Sequence, residues 1–214
     1  MLEHHIIPVT AFAQNCTLLW CQQTRAAVLV DAGGEPERLL AAVAQRQLQL
    51  QALWVTHGHV DHVGAVGDLA HRLQIPVIGP GIADDYWLQA LPSITRQYGF
   101  PLAEVLRPQR WLQDGDQLEL GEQTLTVIHC PGHTPGHMVF YSATARLALV
   151  GDVLFAGSIG RSDFPGGDGA TLIRSIRERL FPLGDDVAFI PGHGAMSTLG
   201  EERRHNPFVA DHLF

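Results

Sequence analysis

Three histidines and one aspartate lie within six consecutive positions of the chain, in the segment THGHVDH that begins at residue 56. Imidazole nitrogens and carboxylate oxygens are ligands that proteins use for Zn²⁺, Fe and Mn ions. Crowded imidazoles repel one another once protonated, and they are costly to bury without a partner, so this density requires a positive charge between the rings. We therefore predict that His57, His59, Asp61 and His62 bind metal.

Three more residues of these types follow apolar runs elsewhere, each beside a glycine that allows close backbone approach. They are His133 in HCPGH, Asp152 in LVGD and His193 in IPGHG. Seven ligands are too many for one tetrahedral ion, so the set predicts two divalent ions, preferably Zn²⁺, with Fe or Mn also suitable. We assign His57, His59 and His133 to the first ion. Asp61, His62 and His193 are assigned to the second ion, and Asp152 to the position between the two ions.

Short apolar runs that end in turns must bring these ligands together. Their length and β-branched content indicate strands in CTLLWC, AAVLVDAGG, ALWVTHGH, IPVIGP, LTVIHCPGH, MVFYSA, LALVGD and VAFIPGHG. Helical patterns occur in EPERLLAAVAQRQ, DHVGAVGDLAHRLQ and GATLIRSIRERL. This order predicts an α/β fold with two mixed sheets face to face and helices on the outer faces. The expected architecture is a four-layer αββα sandwich that forms one domain over residues 1–214.

Composition restricts the possible partners. The formal charge is −8 and the sequence contains no block of Lys or Arg, so it lacks the electrostatic surface of a general nucleic-acid binder. No apolar run is long enough to span a membrane, and the first residues show no secretory signal. The three cysteines are scattered, which fits a reducing compartment. We expect a cytoplasmic protein that acts on a small molecule, and the composition predicts no particular oligomeric state.

The motifs THGHVDH and HCPGHTPGH, the GD pair at Asp152 and the PGHG segment at His193 resemble, in this order, the motifs of the metallo-β-lactamase superfamily. Within it, the chain is similar to the short bacterial type II glyoxalases, the hydroxyacylglutathione hydrolases. The aspartate at position 152 argues against the classical lactamases of the superfamily, which carry cysteine or another ligand arrangement there. Asp61 separates the chain from the flavodiiron branch. About twenty residues follow His193, too few for the C-terminal helical domain of two-domain glyoxalases.

The resemblance implies hydrolysis of S-lactoylglutathione and related S-2-hydroxyacylglutathiones to glutathione and a 2-hydroxy acid. Two cations about 3.5 Å apart can lower the pKa of a shared water, which would provide a bridging hydroxide as nucleophile. Asp61, the predicted catalytic residue, would then anchor the second ion and orient the hydroxide. Arg161, in GSIGRSDF, aligns with a basic residue of the family that contacts the glycine carboxylate of glutathione. An ion pair with Asp163 or Asp168 is its alternative role.

Two other functions stay open. The segment GRSDF also resembles the persulfide dioxygenase branch, which uses one iron in the first site to oxidise glutathione persulfide. The second alternative is a non-catalytic metal-binding module, although structural metal sites are normally closed by four ligands.

A few further residues have expected structural roles. Asp31 is expected either to hydrogen-bond a ligand histidine or to stabilise a turn. His137 is expected to be a buried, hydrogen-bonded histidine, with support of His133 as its alternative role. Trp87 and Tyr98 are expected to belong to the core, with a place in the wall of the pocket as the alternative. The Gly-rich stretch FAGSIGRSDFPGGDGA is expected to be a loop near the bound ligand.

Overall fold

The computed structural model describes residues 1–214 and contains two β-sheets that pack face to face. The first sheet has five strands in the order β1 (Leu2–Val9), β2 (Gln14–Cys21), β3 (Ala26–Val30), β4 (Gln49–Trp54) and β5 (Val77–Ile78). β1, β2 and β3 pair antiparallel, whereas β3, β4 and β5 pair parallel. The sheet is therefore mixed, as the sequence predicts.

The second sheet is also mixed. Its strands are β6 (Gln117–Leu120), β7 (Gln123–His129), β8 (Met138–Ser142), β9 (Leu147–Gly151), β12 (Ala188–Pro191) and β13 (Ser197–Thr198). Between β9 and β12 in the chain, β10 (Leu154–Phe155) and β11 (Ser158–Ile159) form a separate hairpin. The spatial order of the sheet is β13-β12-β9-β8-β7-β6. β9 and β12 pair parallel, and the other neighbours pair antiparallel.

Helices cover the outer face of each sheet. They are α1 (Pro36–Gln45), α2 (Val60–Val63), α3 (Val66–Leu73), α4 (Asp85–Tyr98), α5 (Gly169–Ser175) and α6 (Leu199–His205). Buried leucines of α1, α3 and α4 pack on the first sheet, and Leu172 of α5 packs on the second. Between the sheets, Trp54 meets Phe140 edge to face, with ring centroids 5.5 Å apart. The predicted four-layer αββα sandwich is thus confirmed.

Three segments differ in detail from their sequence patterns. The helix expected from residue 61 to residue 74 is two helices, α2 and α3, because the N–H of Ala65 donates to Ala32 O at 3.0 Å and leaves the helical pattern. The helix that starts at Gly169 continues as a π turn over Ile176–Leu180. The Gly-rich stretch is an irregular loop except for the hairpin β10–β11 and its last two residues, which begin α5. No helix has the length and apolar composition needed to cross a membrane.

The strands that precede the predicted ligands all end at one edge of the sandwich. β3 and β4 run parallel, as do β9 and β12, and β7 has the direction of β9 because both pair antiparallel with β8. At this edge, the main-chain N–H of Asn15 in β2 donates to Gly192 O at 2.7 Å, which joins the two sheets. The side chain of Asn15 adds bonds to Pro191 O and Gly194 O at 3.0 and 2.9 Å.

Candidate metal centre

Three histidine nitrogens meet at this edge and form the first group. His57 Nε2 lies 3.2 Å from both His59 Nδ1 and His133 Nε2, and the latter two atoms are 2.9 Å apart. His57 and His59 follow β4 in the first sheet, whereas His133 follows β7 in the second. Nitrogens bound to one tetrahedral zinc ion lie about 3.3 Å apart, given Zn–N bonds of about 2.05 Å. The observed spacing therefore fits three ligands of one ion.

Hydrogen bonds orient two of these rings toward the centre of the group. The Nδ1 of His133 donates to the carbonyl oxygen of Arg161 at 2.7 Å, and the Nδ1 of His57 lies 3.0 Å from the hydroxyl of Thr56. In this tautomer, the Nε2 atoms present lone pairs to each other. Burial lowers the pKa of His57 and His133, and it lowers the pKa of His59 to about 3. Neutral rings with facing lone pairs need a cation between them.

Asp61, His62 and His193 form the second group. The Oδ2 of Asp61 lies 3.1 Å from His193 Nε2 and 3.7 Å from His62 Nε2. Asp61 and His62 belong to α2, and His193 follows β12. The Nδ1 of His193 lies 3.1 Å from the carbonyl oxygen of Phe12, which orients the ring from the turn between β1 and β2. This group also combines ligands from both sheets.

Asp152 lies between the two groups. Its Oδ1 is 3.3 Å from His62 Nε2, and its Oδ2 is 3.6 Å from both His193 Nε2 and His133 Nε2. The His62 Nε2 and Asp152 Oδ1 atoms are buried without a hydrogen-bond partner, as is His59 Nε2. Buried polar atoms are normally hydrogen-bonded, so the first two orphaned atoms, which face each other, indicate a missing partner between them. A divalent ion fits that requirement.

The electrostatics of the second group differ from those of the first. Although burial opposes the change, Asp152 and Asp61 raise the pKa of His62 well above its usual range. Burial by itself would raise the pKa of Asp152, but the nearby charge of His62 outweighs burial and lowers that pKa overall. Without metal, the second group is therefore a buried cluster of paired charges, whereas the first is a cluster of neutral nitrogens.

Asp31 connects the two groups through hydrogen bonds to His62 and to Thr56, the residue before His57. Its carboxylate accepts hydrogen bonds from His62 Nδ1 at 2.9 Å, from Thr56 N at 2.8 Å and from Thr56 Oγ1 at 2.6 Å. Of its two predicted roles, hydrogen bonding to a ligand histidine is therefore present. Its φ of +57° is left-handed, a conformation that Asp tolerates better than most residues. In the neutral ring, the carboxylate favours the tautomer with its proton on Nδ1, which leaves the lone pair of Nε2 for a metal ion.

Arg161 lies at the rim of the centre. Its guanidinium donates to both carboxylate oxygens of Asp163, at 3.0 and 2.9 Å, and lies 4.3 Å from the ring centroid of Phe164. The side chain is 67% exposed. The ion pair with Asp163, one of the two predicted alternatives, is therefore present. Asp168 instead caps α5 by accepting from Thr171 N at 2.6 Å.

The structure decides between the expected roles of three aromatic residues. Trp87 is not a core residue but lies edge-on against His59, with ring centroids 4.6 Å apart, and Phe164 meets the same histidine at 5.0 Å. Tyr98 is 55% exposed, so the prediction that it belongs to the core is wrong. His137 is buried as predicted and stacks on His57 at 4.6 Å.

Asp84 was not singled out by any motif. It is buried and accepts hydrogen bonds from the loops that carry His57, His59 and His133. Its only local signal is an aspartate immediately before a helix, a common position for a capping residue.

Comparison with known proteins supports the assignment of the sequence motifs to the metallo-β-lactamase superfamily. Residues 9–193 match the metallo-beta-lactamase superfamily. The chain is 45% identical to hydroxyacylglutathione hydrolase GloC of Haemophilus influenzae over 205 residues, which cover 95% of this chain and 96% of that protein.

Solved structures of similar proteins share the fold. BLEG-1 B3 metallo-beta-lactamase superposes with a TM-score of 0.88 at 34% identity, covering 98% of this chain and 99% of its own. TTHA1623 in a di-iron-bound form superposes with a TM-score of 0.87 at 37% identity, covering 95% and 99%. From its motifs, its fold and these relatives, we conclude that the chain belongs to the metallo-β-lactamase superfamily.

Proposed function

We propose that this chain is a metal-dependent hydrolase that cleaves the thioester of S-2-hydroxyacylglutathiones, with S-lactoylglutathione as the reference substrate. The observation that carries the proposal is the pair of ligand groups joined by Asp152, whose carboxylate lies within 3.6 Å of nitrogens from both groups. A closed structural zinc site would need only four ligands, and it would leave no second group. The name of the Haemophilus influenzae relative supports the substrate class.

The donor set suits two divalent ions, with Zn²⁺ preferred and Fe or Mn as alternatives, because all donors are nitrogen or carboxylate oxygen. When bound, two such ions polarise a carbonyl group and lower the pKa of water. His57, His59 and His133 would hold the first ion; Asp61, His62 and His193 the second; and Asp152 would contact both.

Asp61 is the proposed catalytic residue. Its Oδ2 lies 3.1 Å from Nε2 of His193, whose side chain is 28% exposed. The carboxylate therefore lies at the less buried side of the centre. From there it can hold the second ion and accept a hydrogen bond from the attacking water, which orients the water toward the thioester carbonyl carbon. Water adds to that carbon, the C–S bond breaks, and glutathione leaves as a thiolate that takes up one proton.

Arg161 is the proposed binding residue for the glycine carboxylate of glutathione. The planar guanidinium already makes a paired contact with the carboxylate of Asp163, at 3.0 and 2.9 Å. A substrate carboxylate could replace that partner with the same geometry. Both side chains are exposed, so the exchange would not leave a buried charge unpaired.

Purified protein of measured metal content should be assayed with S-lactoylglutathione, with thiol release as the signal. The expected result is metal-dependent hydrolysis that a chelator abolishes and Zn²⁺ restores. Oxygen uptake with glutathione persulfide and one iron per chain would instead support the dioxygenase alternative. Turnover of a β-lactam alone would identify a lactamase, and inactivity toward all three substrates at full metal loading would leave a binding module.

A further inference from the structure

Asp84 is a fully buried carboxylate at the end of the short helical turn Ile82–Asp84, immediately before α4. Its Oδ2 accepts hydrogen bonds from Gly58 N at 2.9 Å and from Thr134 Oγ1 at 2.8 Å. Its Oδ1 accepts a hydrogen bond from Gly136 N at 2.6 Å. Although Asp84 occupies the N-cap position of α4, its side chain makes no capping bond to that helix. The carboxylate therefore serves the neighbouring loops and not its own helix.

Those loops carry the whole first group of metal ligands. Gly58 lies between His57 and His59 in the loop of the first sheet, and Thr134 follows His133 directly in the loop of the second sheet. One carboxylate thus connects the two ligand loops, which start from different sheets. A main-chain bond from Gly81 N to Gly136 O, at 2.9 Å, strengthens the same connection.

The loops approach Asp84 and Trp87 too closely for side chains at their glycines. A Cβ at Gly136 would lie 2.7 Å from Asp84 Oδ1, and a Cβ at Gly58 would lie 2.7 Å from the Cβ of Trp87. Both contacts are shorter than those that real Cβ atoms make. The two glycines therefore permit the close approach that the carboxylate bonds require.

We propose that Asp84 is a positioning residue that sets the spacing of His57, His59 and His133 and thereby the metal affinity of the first site; this rests on the proposed metal centre. Two main-chain N–H groups and a hydroxyl converge on the two oxygens of one carboxylate. An asparagine has one oxygen, so its NH₂ group would face an N–H donor of one of the loops. An ionised carboxylate is required to hold both loops.

The test measures each metal site separately by Zn²⁺ titration against a chromophoric chelator. The double change Asp61→Asn and His193→Ala removes ligands of the second site, so that binding reports the first. His59→Ala gives the reciprocal background. Asp84→Asn is placed in each background and compared with Asp85→Asn, the same change one position along the chain.

Asp84→Asn is expected to weaken Zn²⁺ binding about 10- to 100-fold at the first site, the range for residues that orient ligands, and less than twofold at the second. Asp85→Asn should change neither. Equal losses at both sites with a lower melting temperature of the metal-free protein would show a general stabilising role and overturn the proposal. Unchanged affinity at the first site would overturn it as well.

Thr134→Val decides the question if Asp84→Asn does not fold, because it removes one of the three donors and keeps the side-chain volume. A threefold to tenfold weakening confined to the first site is expected, and no change would contradict the proposal. If the first-site background without further changes binds no Zn²⁺, the metal centre itself is wrong. If that background binds Zn²⁺ normally and Asp84→Asn binds equally well, only the role of Asp84 is wrong.

Discussion

The carboxylate of Asp31 accepts a hydrogen bond from Nδ1 of His62 at 2.9 Å, and both side chains are buried. The same carboxylate accepts two bonds from Thr56, the residue directly before the first ligand histidine. Asp31 therefore orients His62 of the second group directly and holds the start of the loop that carries His57 and His59 of the first group. The side chain of Asp31 thus influences both groups of ligands.

Replacing Asp31 by Asn should weaken Zn²⁺ binding at the second site about 10- to 100-fold, because one bond to His62 or Thr56 is lost and the charge behind the histidine disappears. Asparagine tolerates a left-handed backbone about as well as aspartate, so the φ of +57° adds no separate penalty. Titration in the His59→Ala background measures the effect. Normal second-site affinity in a folded Asp31→Asn protein would contradict this role.

Replacing Asp61 by Ala should lower kcat for thioester hydrolysis at least about 100-fold, the scale on which one preorganised electrostatic contact is lost. The fold should survive. Asp68→Ala is a matched control, since Asp68 is also an aspartate in the first turn of a helix. The alternative role for Asp61 is helix stabilisation alone, worth about 1 kcal/mol. Full metal content with near-normal kcat would support that alternative; kcat, metal content and melting temperature are measured on one preparation.

Replacing Arg161 by Ala should raise KM for glutathione thioesters about tenfold and change kcat less than threefold, as expected when a uniform binding contact is removed. Asp163→Ala should lower KM, because it frees the guanidinium that Asp163 now occupies. Arg110→Ala is the control, since Arg110 makes a comparable surface ion pair with Asp116 at 3.1 Å. If KM in all three variants equals that of the unmodified protein, Arg161 stabilises only its own loop.

Metal-replete protein should contain more than one equivalent of metal per chain. Chelation should then lower the melting temperature, because ions that bind only the folded state stabilise it; free ion at roughly 1,000 times its Kd adds about 4 kcal/mol. Elemental analysis and thermal melts with and without chelator give both values. Saturation at one equivalent under excess Zn, Fe or Mn would argue against two sites.

The candidate metal ligands could be predicted from the sequence because each stands in a short local motif. His57, His59, Asp61 and His62 stand in one short motif, and each of the other three follows an apolar strand and a glycine. The layer order was also predictable, since buried strands read as continuous apolar runs. These signals need no knowledge of distant contacts.

The role of Asp84 could not be recognised in the same way, and the sequence could not decide between the core and the pocket wall for Trp87. Both depend on how α4 packs against loops that are 26 to 52 residues away from Asp84 in the chain. In sequence, Asp84 looks like a helix cap and Trp87 like a core aromatic. The break between α2 and α3 has the same origin, because it follows from a main-chain bond between Ala65 and Ala32.

The meeting of the two sheets at the metal centre also bears on how the protein unfolds. His57 and His133 are separated by 76 residues of chain, and in the loaded protein one ion would connect them. Such an ion acts as a cross-link that closes a long loop, so it lowers the chain entropy of any partly opened state that keeps it. Separation of the two halves of the sandwich would then require release of the ion. The rate of global unfolding should therefore depend on metal dissociation, and a catalytically dead variant that still binds metal should keep the kinetic stability of the active enzyme.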